Sequence, residues 1–369
     1  MDSELAPLLP LFERERSAGR AMALGVLVHT VGSTYRKPGA MLLIAGSGEY
    51  AGLISGGCLE GDLGERARAV IETGRSSLVT YDLRDSDDLV WGLGLGCEGA
   101  MHILLLRVGP QEEWQPLAHL AAALAEHTPT AIGIVTESRD QGIPAGALVL
   151  PQGAGASPLV LPRSLSAGAR TTLLEPRTLA ALAAAPGSGA VGWAQGPDAG
   201  WKLLLLPLSL PPKLLLLGAG PDALPVVEFA ARLHWRVTLA DHRPAYAVPS
   251  HFPSAERVLL ARPEEIAQAV DLRQFAAAVV MSHHLPSDLE YLRALSPSPL
   301  PYVGLLGPPA RREKLLSELG PEARRLRPRL RAPVGLNLGG RAPEAIALAM
   351  VAEIHAFVHG MQPPRSDHE

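Results

Sequence analysis

Leu214-Leu215-Leu216-Leu217-Gly218-Ala219-Gly220-Pro221-Asp222-Ala223 determines the expected architecture of the C-terminal part of this 369-residue chain. Four consecutive leucines predict a buried strand, and the pattern G-x-G-x-x-A predicts a tight turn that leads into a helix. Gly218 permits the turn, and Gly220 lets the backbone approach a pyrophosphate, while Ala223 keeps the helix close to the strand. The N–H groups and partial positive charge of the helix N-terminus favour a phosphate there. The segment therefore predicts a Rossmann-like fold and indicates a dinucleotide site.

The residues around this turn support the same fold. Residues 213–360 alternate between strand and helix patterns, which is typical of a doubly wound parallel sheet. Asp241 ends the second predicted strand, at the position where a carboxylate would hold ribose hydroxyls. His242 and Arg243 would suit an extra phosphate, so the pattern does not separate NAD from NADP. The alternative interpretation is that the two glycines of the turn serve only chain reversal.

A proline-rich stretch at residues 207–212 predicts a linker between two domains. The first domain is expected over residues 1–207, with a core of about 10–108, and the second over residues 213–360. Residues 111–210 contain further short strand patterns, which we expect to extend the sheet of the first domain. The predicted fold class is α/β, with an N-terminal mixed α/β domain followed by a C-terminal Rossmann-like doubly wound parallel sheet.

Composition excludes several classes of function. With 33 basic and 37 acidic residues, the formal charge is −4, which gives no long-range attraction to nucleic acid or to an anionic membrane. Two cysteines do not make a secreted disulfide framework, and the acidic start Met1-Asp2-Ser3-Glu4 does not resemble a secretory signal. The longest apolar run, residues 203–217, is interrupted by prolines and a lysine, so no membrane span is expected. We expect a cytoplasmic protein.

Both cysteines lie in glycine-rich loops. The loops read Ser55-Gly56-Gly57-Cys58-Leu59-Glu60-Gly61-Asp62 and Gly92-Leu93-Gly94-Leu95-Gly96-Cys97-Glu98-Gly99. Glycine allows close approach of backbone to a ligand, and a thiolate is a ligand that soft metals favour. Cys58 precedes a predicted helix that ends at Gly74, and a helix N-terminus lowers a thiol pKa, although Glu60 and Asp62 oppose that effect. Buried, inert thiols are the alternative.

Six motifs together resemble the XdhC/CoxI family, the accessory factors of xanthine dehydrogenase and related molybdenum hydroxylases. They span both ends of the chain in the family's order. The motifs are Gly32-Ser33-Thr34-Tyr35-Arg36-Lys37-Pro38-Gly39-Ala40-Met41, Ser55-Gly56-Gly57-Cys58-Leu59-Glu60, Val90-Trp91-Gly92-Leu93-Gly94-Leu95-Gly96-Cys97, the glycine turn at 218–223, Tyr302-Val303-Gly304-Leu305-Leu306-Gly307, and Ala332-Pro333-Val334-Gly335-Leu336-Asn337-Leu338-Gly339.

The resemblance implies a protein that binds molybdenum cofactor (molybdopterin) and protects it. It implies support for the exchange of an oxo for a sulfido ligand with a cysteine desulfurase, and delivery to the apo large subunit of the hydroxylase. We expect a homodimer that acts as a chaperone without turnover of its own. The cofactor-binding residues expected in the first domain are Ser33, Thr34, Arg36, Lys37, Ser55, Gly56, Gly57, Cys58, Glu60, Gly96 and Cys97, with Cys58 and Cys97 as metal ligands.

Charge and hydroxyl groups suggest how some of these residues would act. Arg36 and Lys37 follow Ser33 and Thr34 in one loop, a combination that suits a phosphate or a pterin substituent. An ordinary solvated loop is the alternative. Glu60 would hydrogen-bond a pterin ring, or else it would only complement the dipole of its helix.

Two other interpretations of the whole chain remain. One is an NAD(P)-dependent oxidoreductase that uses Gly218, Gly220 and Asp241, although it gives the cysteine loops no role and no Lys-Tyr pair for hydride transfer is evident. The other is a scaffold that only docks on the hydroxylase.

A pair of histidines follows one of the predicted strands of the second domain. His283-His284, with Asp288 shortly after, would supply a metal or acid–base site at the strand end, or simply a polar loop and helix cap.

Overall fold

The structure is a computed structural model, and it divides into two compact units, Met1–Leu210 and Pro211–Glu369. Among the described residues, no helix is long and apolar enough to cross a membrane. The structure describes residues 4–57, 59–82, 84, 99–152 and 156–361.

The first unit begins with an antiparallel five-stranded sheet in the order β3-β2-β1-β5-β4. Two helices precede and interrupt it, and a third follows. The strands are β1 (Met22–Gly32), β2 (Met41–Ala45), β3 (Tyr50–Gly52), β4 (Ser77–Asp82) and β5 (Gly99–Val108), and the helices are α1 (Leu9–Ser17), α2 (Glu60–Thr73) and α3 (Leu117–Glu126). Helix α2 ends at Gly74, which adopts φ +71 and so confirms the predicted stop.

Residues 131–207 form a second antiparallel sheet in the order β8-β7-β6-β10-β9. Its elements are β6 (Ala131–Ser138), β7 (Leu148–Leu150), β8 (Leu159–Leu161), α4 (Ala167–Leu173), α5 (Pro176–Ser188), β9 (Gly192–Gln195) and β10 (Trp201–Pro207). The expectation that residues 111–210 extend the first sheet is therefore wrong. The backbone hydrogen bonds of β6 and β10 are made with each other and with β7 and β9, so none is left for the first sheet.

The two sheets of the first unit pack face to face. Along β1, Leu24 and Val26 enter a core shared with the second sheet, whereas Ala23 and Leu27 lie beneath α2. Strand β6 is also covered on both faces. Ile132 on one face enters the shared core, and the opposite face of the strand is covered by α5. Strands covered on both faces are apolar throughout, which is why periodicity alone did not assign them to one sheet or another.

The second unit contains a six-stranded sheet in the order β13-β12-β11-β14-β15-β16, with every pair parallel. This confirms the predicted Rossmann-like fold. Its elements are β11 (Lys213–Leu217), α6 (Ala223–Arg232), β12 (Arg236–Asp241), β13 (Arg257–Leu260), α7 (Ile266–Ala269), β14 (Ala277–Val280), α8 (Leu285–Leu295), β15 (Val303–Leu305), α9 (Pro309–Leu319), α10 (Ala323–Leu326), β16 (Leu330–Arg331) and α11 (Pro343–Val358). The strand order reverses between β11 and β14, which is where ligands of such sheets bind.

Candidate functional site

The first sheet brings the predicted cofactor motifs to one of its ends. Strands β1 and β3 both run antiparallel to β2, so both end on the same side of the sheet. Strand β5 runs antiparallel to β1 and begins there, with Gly99 paired to Gly32. The Ser33 loop, the residues after β3 and the start of β5 therefore all lie toward this end, which we call the motif end of the sheet.

Three of the predicted residues, Cys58, Gly96 and Cys97, lie outside the described part of the chain. Their assignments as cofactor or metal ligands therefore stay predictions. The structure does place Gly57 and Leu59, the two neighbours of Cys58 in the sequence. No group of three or more His, Cys, Asp or Glu side chains suited to a metal ion occurs among the described residues.

Gly99 lies in direct contact with the Ser33 loop. A Cβ at Gly99 would fall 2.5 Å from the carbonyl oxygen of Ser33 and 2.7 Å from Cγ2 of Thr34. Only glycine leaves room for this contact. Gly99 follows Cys97 by two positions, so the last residue of the second cysteine loop touches the first motif.

In the Ser33 loop, the side chain of Arg36 forms an ion pair, whereas that of Lys37 is exposed. Thr34 Oγ1 donates to the carbonyl oxygen of Arg36 at 2.8 Å, which folds the loop back on itself. The Arg36 guanidinium forms an ion pair with Glu4, whereas the side chains of Ser33 and Lys37 are exposed. Sequence reasoning missed Glu4, since nothing in its local pattern signals a partner so far along the chain. An anion that binds at Arg36 would compete with Glu4.

Glu60 organises the first cysteine loop from within. Its side chain is 4 % exposed, and Oε1 accepts the N–H of Ser55 at 3.0 Å. Oε2 accepts the Ser55 hydroxyl, and also the N–H of Leu59 at 3.2 Å. The Ser55 oxygen in turn accepts the N–H groups of Gly57 and Leu59, at 3.3 Å and 3.1 Å. The carboxylate is thus used to hold the loop, and the predicted contact with a pterin ring stays a prediction.

The glycines before Cys58 are exposed. Among the described residues, no atom lies within 4 Å of a Cβ built at Gly56 or Gly57, and Gly57 adopts φ +105, which favours glycine. Within the described part of the chain, this backbone is therefore accessible to a ligand. Helix α2, whose N-terminus carries a partial positive charge, begins two positions after Cys58 in the sequence.

Asp62 is neutralised by contacts of its own. It forms an ion pair with Arg66 at 2.6 Å and accepts the Tyr81 hydroxyl, which joins α2 to β4. Burial alone raises the pKa of Asp62, but the hydrogen bonds from Arg66 and Tyr81 outweigh it and hold the pKa below its ordinary value. Arg66 therefore compensates the negative charge of Asp62, and the effect of Asp62 on a thiolate at Cys58 stays a prediction.

In the second unit, Gly218 of the predicted phosphate turn is sterically required. A Cβ at Gly218 would fall 2.6 Å from the carbonyl carbon of Met281, and Gly218 adopts φ +120. The chain after β14 therefore crosses directly over the turn. A Cβ at Gly220 would meet only the movable Asp222 side chain, with Oδ1 at 2.6 Å. Chain reversal therefore accounts for Gly218, and dinucleotide binding at the turn stays a prediction.

The Asp241 carboxylate is fully buried and held by four donors. The N–H of Ala219 and Nη2 of Arg243 reach Oδ2, each at 2.8 Å, while the N–H and Nε of Arg243 reach Oδ1, each at 2.9 Å. Burial alone raises the pKa of Asp241, but these bonds outweigh it and hold the pKa below its ordinary value. A ribose would have to displace Arg243, so the predicted ribose contact stays untested.

The histidine pair at the end of β14 has structural partners. His283 adopts φ +59, and its Nε2 lies 2.7 Å from Asp222 Oδ2, and both residues line a cavity of about 420 Å³. His284 Nδ1 lies 2.9 Å from the Ser287 hydroxyl. Asp288 is buried and accepts from Arg311 at 2.6 Å, so it anchors α8 to α9.

Sequence reasoning also missed a junction that joins two of the quoted motifs. Glu353 on α11 accepts the Tyr302 hydroxyl at 2.8 Å and the N–H of Gly335 at 2.6 Å. Tyr302 begins one motif and Gly335 lies in another. This contact explains both motifs as parts of a folded core.

The comparisons with known proteins cover almost the whole chain. The model of the XdhC and CoxI family matches residues 15–82, and the model of the XdhC Rossmann domain matches residues 214–354. A Bacillus subtilis protein, named as a probable subunit of xanthine dehydrogenase, is 32% identical over 337 residues, which cover 90% of this chain and 91% of that protein.

A solved structure gives the same picture. A crystal structure described as a xanthine dehydrogenase from Bacillus halodurans superimposes with a TM-score of 0.74 at 26% sequence identity, and the match covers 99% of this chain and 98% of that one. From its motifs, its Rossmann unit and its near full-length relative, the chain belongs to the XdhC and CoxI family.

Proposed function

We propose that this protein is an accessory factor that binds molybdenum cofactor, supports its sulfuration and inserts it into a xanthine dehydrogenase-type molybdenum hydroxylase. The observation that carries the proposal is that the Ser33 loop, the loop of residues 55–57 and Gly99, which follows Cys97 by two positions, lie toward the motif end of the first sheet. The names of the relatives support the choice of enzyme, since the Bacillus subtilis protein is named for xanthine dehydrogenase.

The described residues at the motif end suit an anionic ligand of this kind. Gly56 and Gly57 leave the backbone open, and the N-terminus of α2 adds a partial positive charge beside them. Lys37 is exposed on the neighbouring loop and would contact the phosphate, with Ser33 as a hydroxyl donor. In the proposal, Arg36 would exchange its Glu4 partner for the same phosphate.

The two cysteines would supply the soft ligands. When bound, the cofactor brings a molybdenum centre that carries oxo and sulfido ligands, and thiolates are suitable partners for such a metal. The chain itself would hold and orient this group and keep its thiolates available. Glu60 would act as a positioning residue, because its carboxylate fixes both neighbours of the Cys58 position through Ser55.

The proposal includes partners and a setting. A cysteine desulfurase would supply the sulfur, and the apo large subunit of the hydroxylase would receive the cofactor. Tyr35 is 60% exposed on the Ser33 loop and offers an aromatic contact for such a partner. We propose that the protein is a homodimer in the cytoplasm, where its thiols stay reduced. In this role the protein needs no catalytic turnover of its own.

The experiment is to co-express the chain with its molybdenum-enzyme partners, purify it, and measure molybdenum and pterin per protein. We expect the wild-type chain to retain both, and Cys58→Ala and Cys97→Ala to retain less. Ser47→Ala is the control, since Ser47 is exposed in the β2–β3 turn at the opposite end of the sheet. No pterin in the wild-type chain would refute the proposal, and equal loading of a cysteine variant would remove that cysteine from the site.

A second candidate, an NAD(P)-dependent oxidoreductase, is favoured by one observation. The glycine turn lies where the strand order of the second sheet reverses, which is the ligand position of such folds. Calorimetric titration with NAD(H) and NADP(H) tests it. Micromolar binding of either nucleotide would support a nucleotide site, and the absence of heat would leave the turn a structural element.

A further inference from the structure

One cavity of the first unit lies away from the motif end. It has a volume of about 550 Å³ and is bounded by the end of α2, by the residues after β5, and by the chain around β7 and β8. Helix α2 has 14 residues and runs between the two places, so they are separated by roughly 20 Å. Cavities of this size accommodate small organic molecules.

Positive charge exceeds negative charge around the cavity. Arg75, Arg107 and Arg163 line it, with Glu112 as the one acidic lining residue among those described. Arg163 forms an ion pair with Glu113 at the surface. Within the described part of the chain, no ion pair involves Arg75. A solute anion would therefore meet a net positive field in a partly enclosed space.

Arg107 and Glu112 form an ion pair but are not fully hydrogen-bonded. Arg107 Nη1 donates to Gln111 Oε1 at 2.9 Å, while Nε lies 3.7 Å from Glu112 Oε2, close enough for an ion pair but beyond hydrogen-bond distance. Both of these buried atoms lack a hydrogen-bond partner among the described residues. Buried polar atoms without partners are uncommon, and a bound anion is one way to satisfy the Arg107 Nε donor.

The cavity also has an apolar lining. Leu106, Leu148 and Leu161 are buried residues that contribute to it. Gly146 leaves no room for a side chain, because a Cβ there would fall 2.7 Å from the Ser76 hydroxyl and 2.9 Å from Cδ2 of Leu106. The lining therefore combines groups that suit an anion with groups that suit a hydrocarbon or aromatic body.

We propose that this cavity binds a small organic anion, with its phosphate or carboxylate group beside Arg75 and Arg107 and its apolar body against the three leucines. This site is separate from the motif end, and it does not depend on the proposed handling of molybdenum cofactor. The two sites lie at opposite ends of α2, so each is testable without disturbing the other.

The test is calorimetric titration of the full-length chain with 1-naphthyl phosphate, 1-naphthoate, 1-naphthol and inorganic phosphate. We expect saturable binding of at least one of the two naphthyl anions, and much weaker binding of 1-naphthol and of inorganic phosphate. The ratio of affinities for the phosphate and the carboxylate identifies which anionic group the site prefers. Failure of both anions to bind, or equal binding of 1-naphthol, would overturn the proposal.

Matched arginine variants locate the binding. Arg75→Gln is expected to weaken the affinity about tenfold, because it removes one charge-assisted hydrogen bond without breaking an ion pair. Arg139→Gln is the control, since Arg139 is also exposed in the first unit but does not line the cavity. Circular dichroism checks that both variants fold. Unchanged affinity in both Arg75→Gln and Arg163→Gln would place the binding elsewhere and refute the assignment.

Discussion

Glu60 accepts the backbone N–H of Ser55 at 3.0 Å through Oε1 and the Ser55 hydroxyl through Oε2, and both residues are buried. A carboxylate on the first turn of α2 thus holds the loop that leads into Cys58. The charge is balanced by N–H and O–H donors, which is how a buried carboxylate is tolerated.

Glu60→Gln tests this contact. The glutamine side chain has nearly the same shape, but its amide turns one acceptor into a donor that faces N–H or O–H groups. We expect a loss of about 1–3 kcal/mol in the free energy of unfolding, measured by urea denaturation. Glu65→Gln, on the exposed face of α2, is the control and should change the stability little. Equal effects of the two substitutions would contradict the role given to Glu60.

The ion-paired carboxylate of Glu15 is expected to make the stability of the protein fall at acidic pH. Its hydrogen bonds to Arg20 lower the pKa most, burial opposes them, and Arg14 adds to them, so the pKa falls from the ordinary 4.5 to about 2. A lowered folded-state pKa means that this contribution is present above the unfolded pKa and is lost as the pH falls from about 4.5 to about 2.

The measurement for Glu15 compares the wild-type chain with Glu15→Gln in urea denaturation at a series of pH values. We expect the variant to be less stable near pH 7, and the difference to shrink below pH about 4.5. Glu13→Gln, exposed on the same helix, should show no such difference. If the difference in the free energy of unfolding between wild type and Glu15→Gln stayed constant down to pH about 2, the lowered pKa of Glu15 would be refuted.

Gly218→Ala should destabilise the second unit strongly. The new Cβ would fall within 2.6 Å of the Met281 backbone, at a φ of +120 that alanine rarely adopts. We expect the free energy of unfolding, measured by thermal denaturation, to fall by at least about 2 kcal/mol. Gly64→Ala, inside α2 with open space around it, should instead stabilise by about 0.5–1 kcal/mol. A neutral Gly218→Ala would mean that the turn relaxes more easily than this packing implies.

Tyr302→Phe removes one donor from Glu353 and leaves the other, the N–H of Gly335. We expect the free energy of unfolding to fall by about 1–2 kcal/mol. Hydrogen exchange at the Gly335 amide should become faster, because its acceptor is less firmly held. Tyr50→Phe, at an exposed tyrosine, is the control. Unaltered exchange at Gly335 would separate the two contacts and contradict a shared junction.

Local sequence patterns were sufficient to predict features that depend on neighbouring residues. The strand, turn and helix of residues 214–223 follow from a leucine run and the glycine spacing, and the end of α2 follows from Gly74. The parallel sheet was predictable because strand and helix patterns alternate along residues 213–360. In each case, the decisive interactions lie within one or two consecutive elements.

Contacts between distant segments could not be predicted in this way, because they depend on how the whole chain packs. The strands of residues 131–207 are apolar on both faces, and their pattern did not show that they close into a sheet of their own. Likewise, Gly99 touches Ser33, and Asp241 turns inward to Ala219, because packing brings those backbones together. Which donors surround a carboxylate, and which loops share one end of a sheet, depend on long-range contacts that local sequence patterns do not encode.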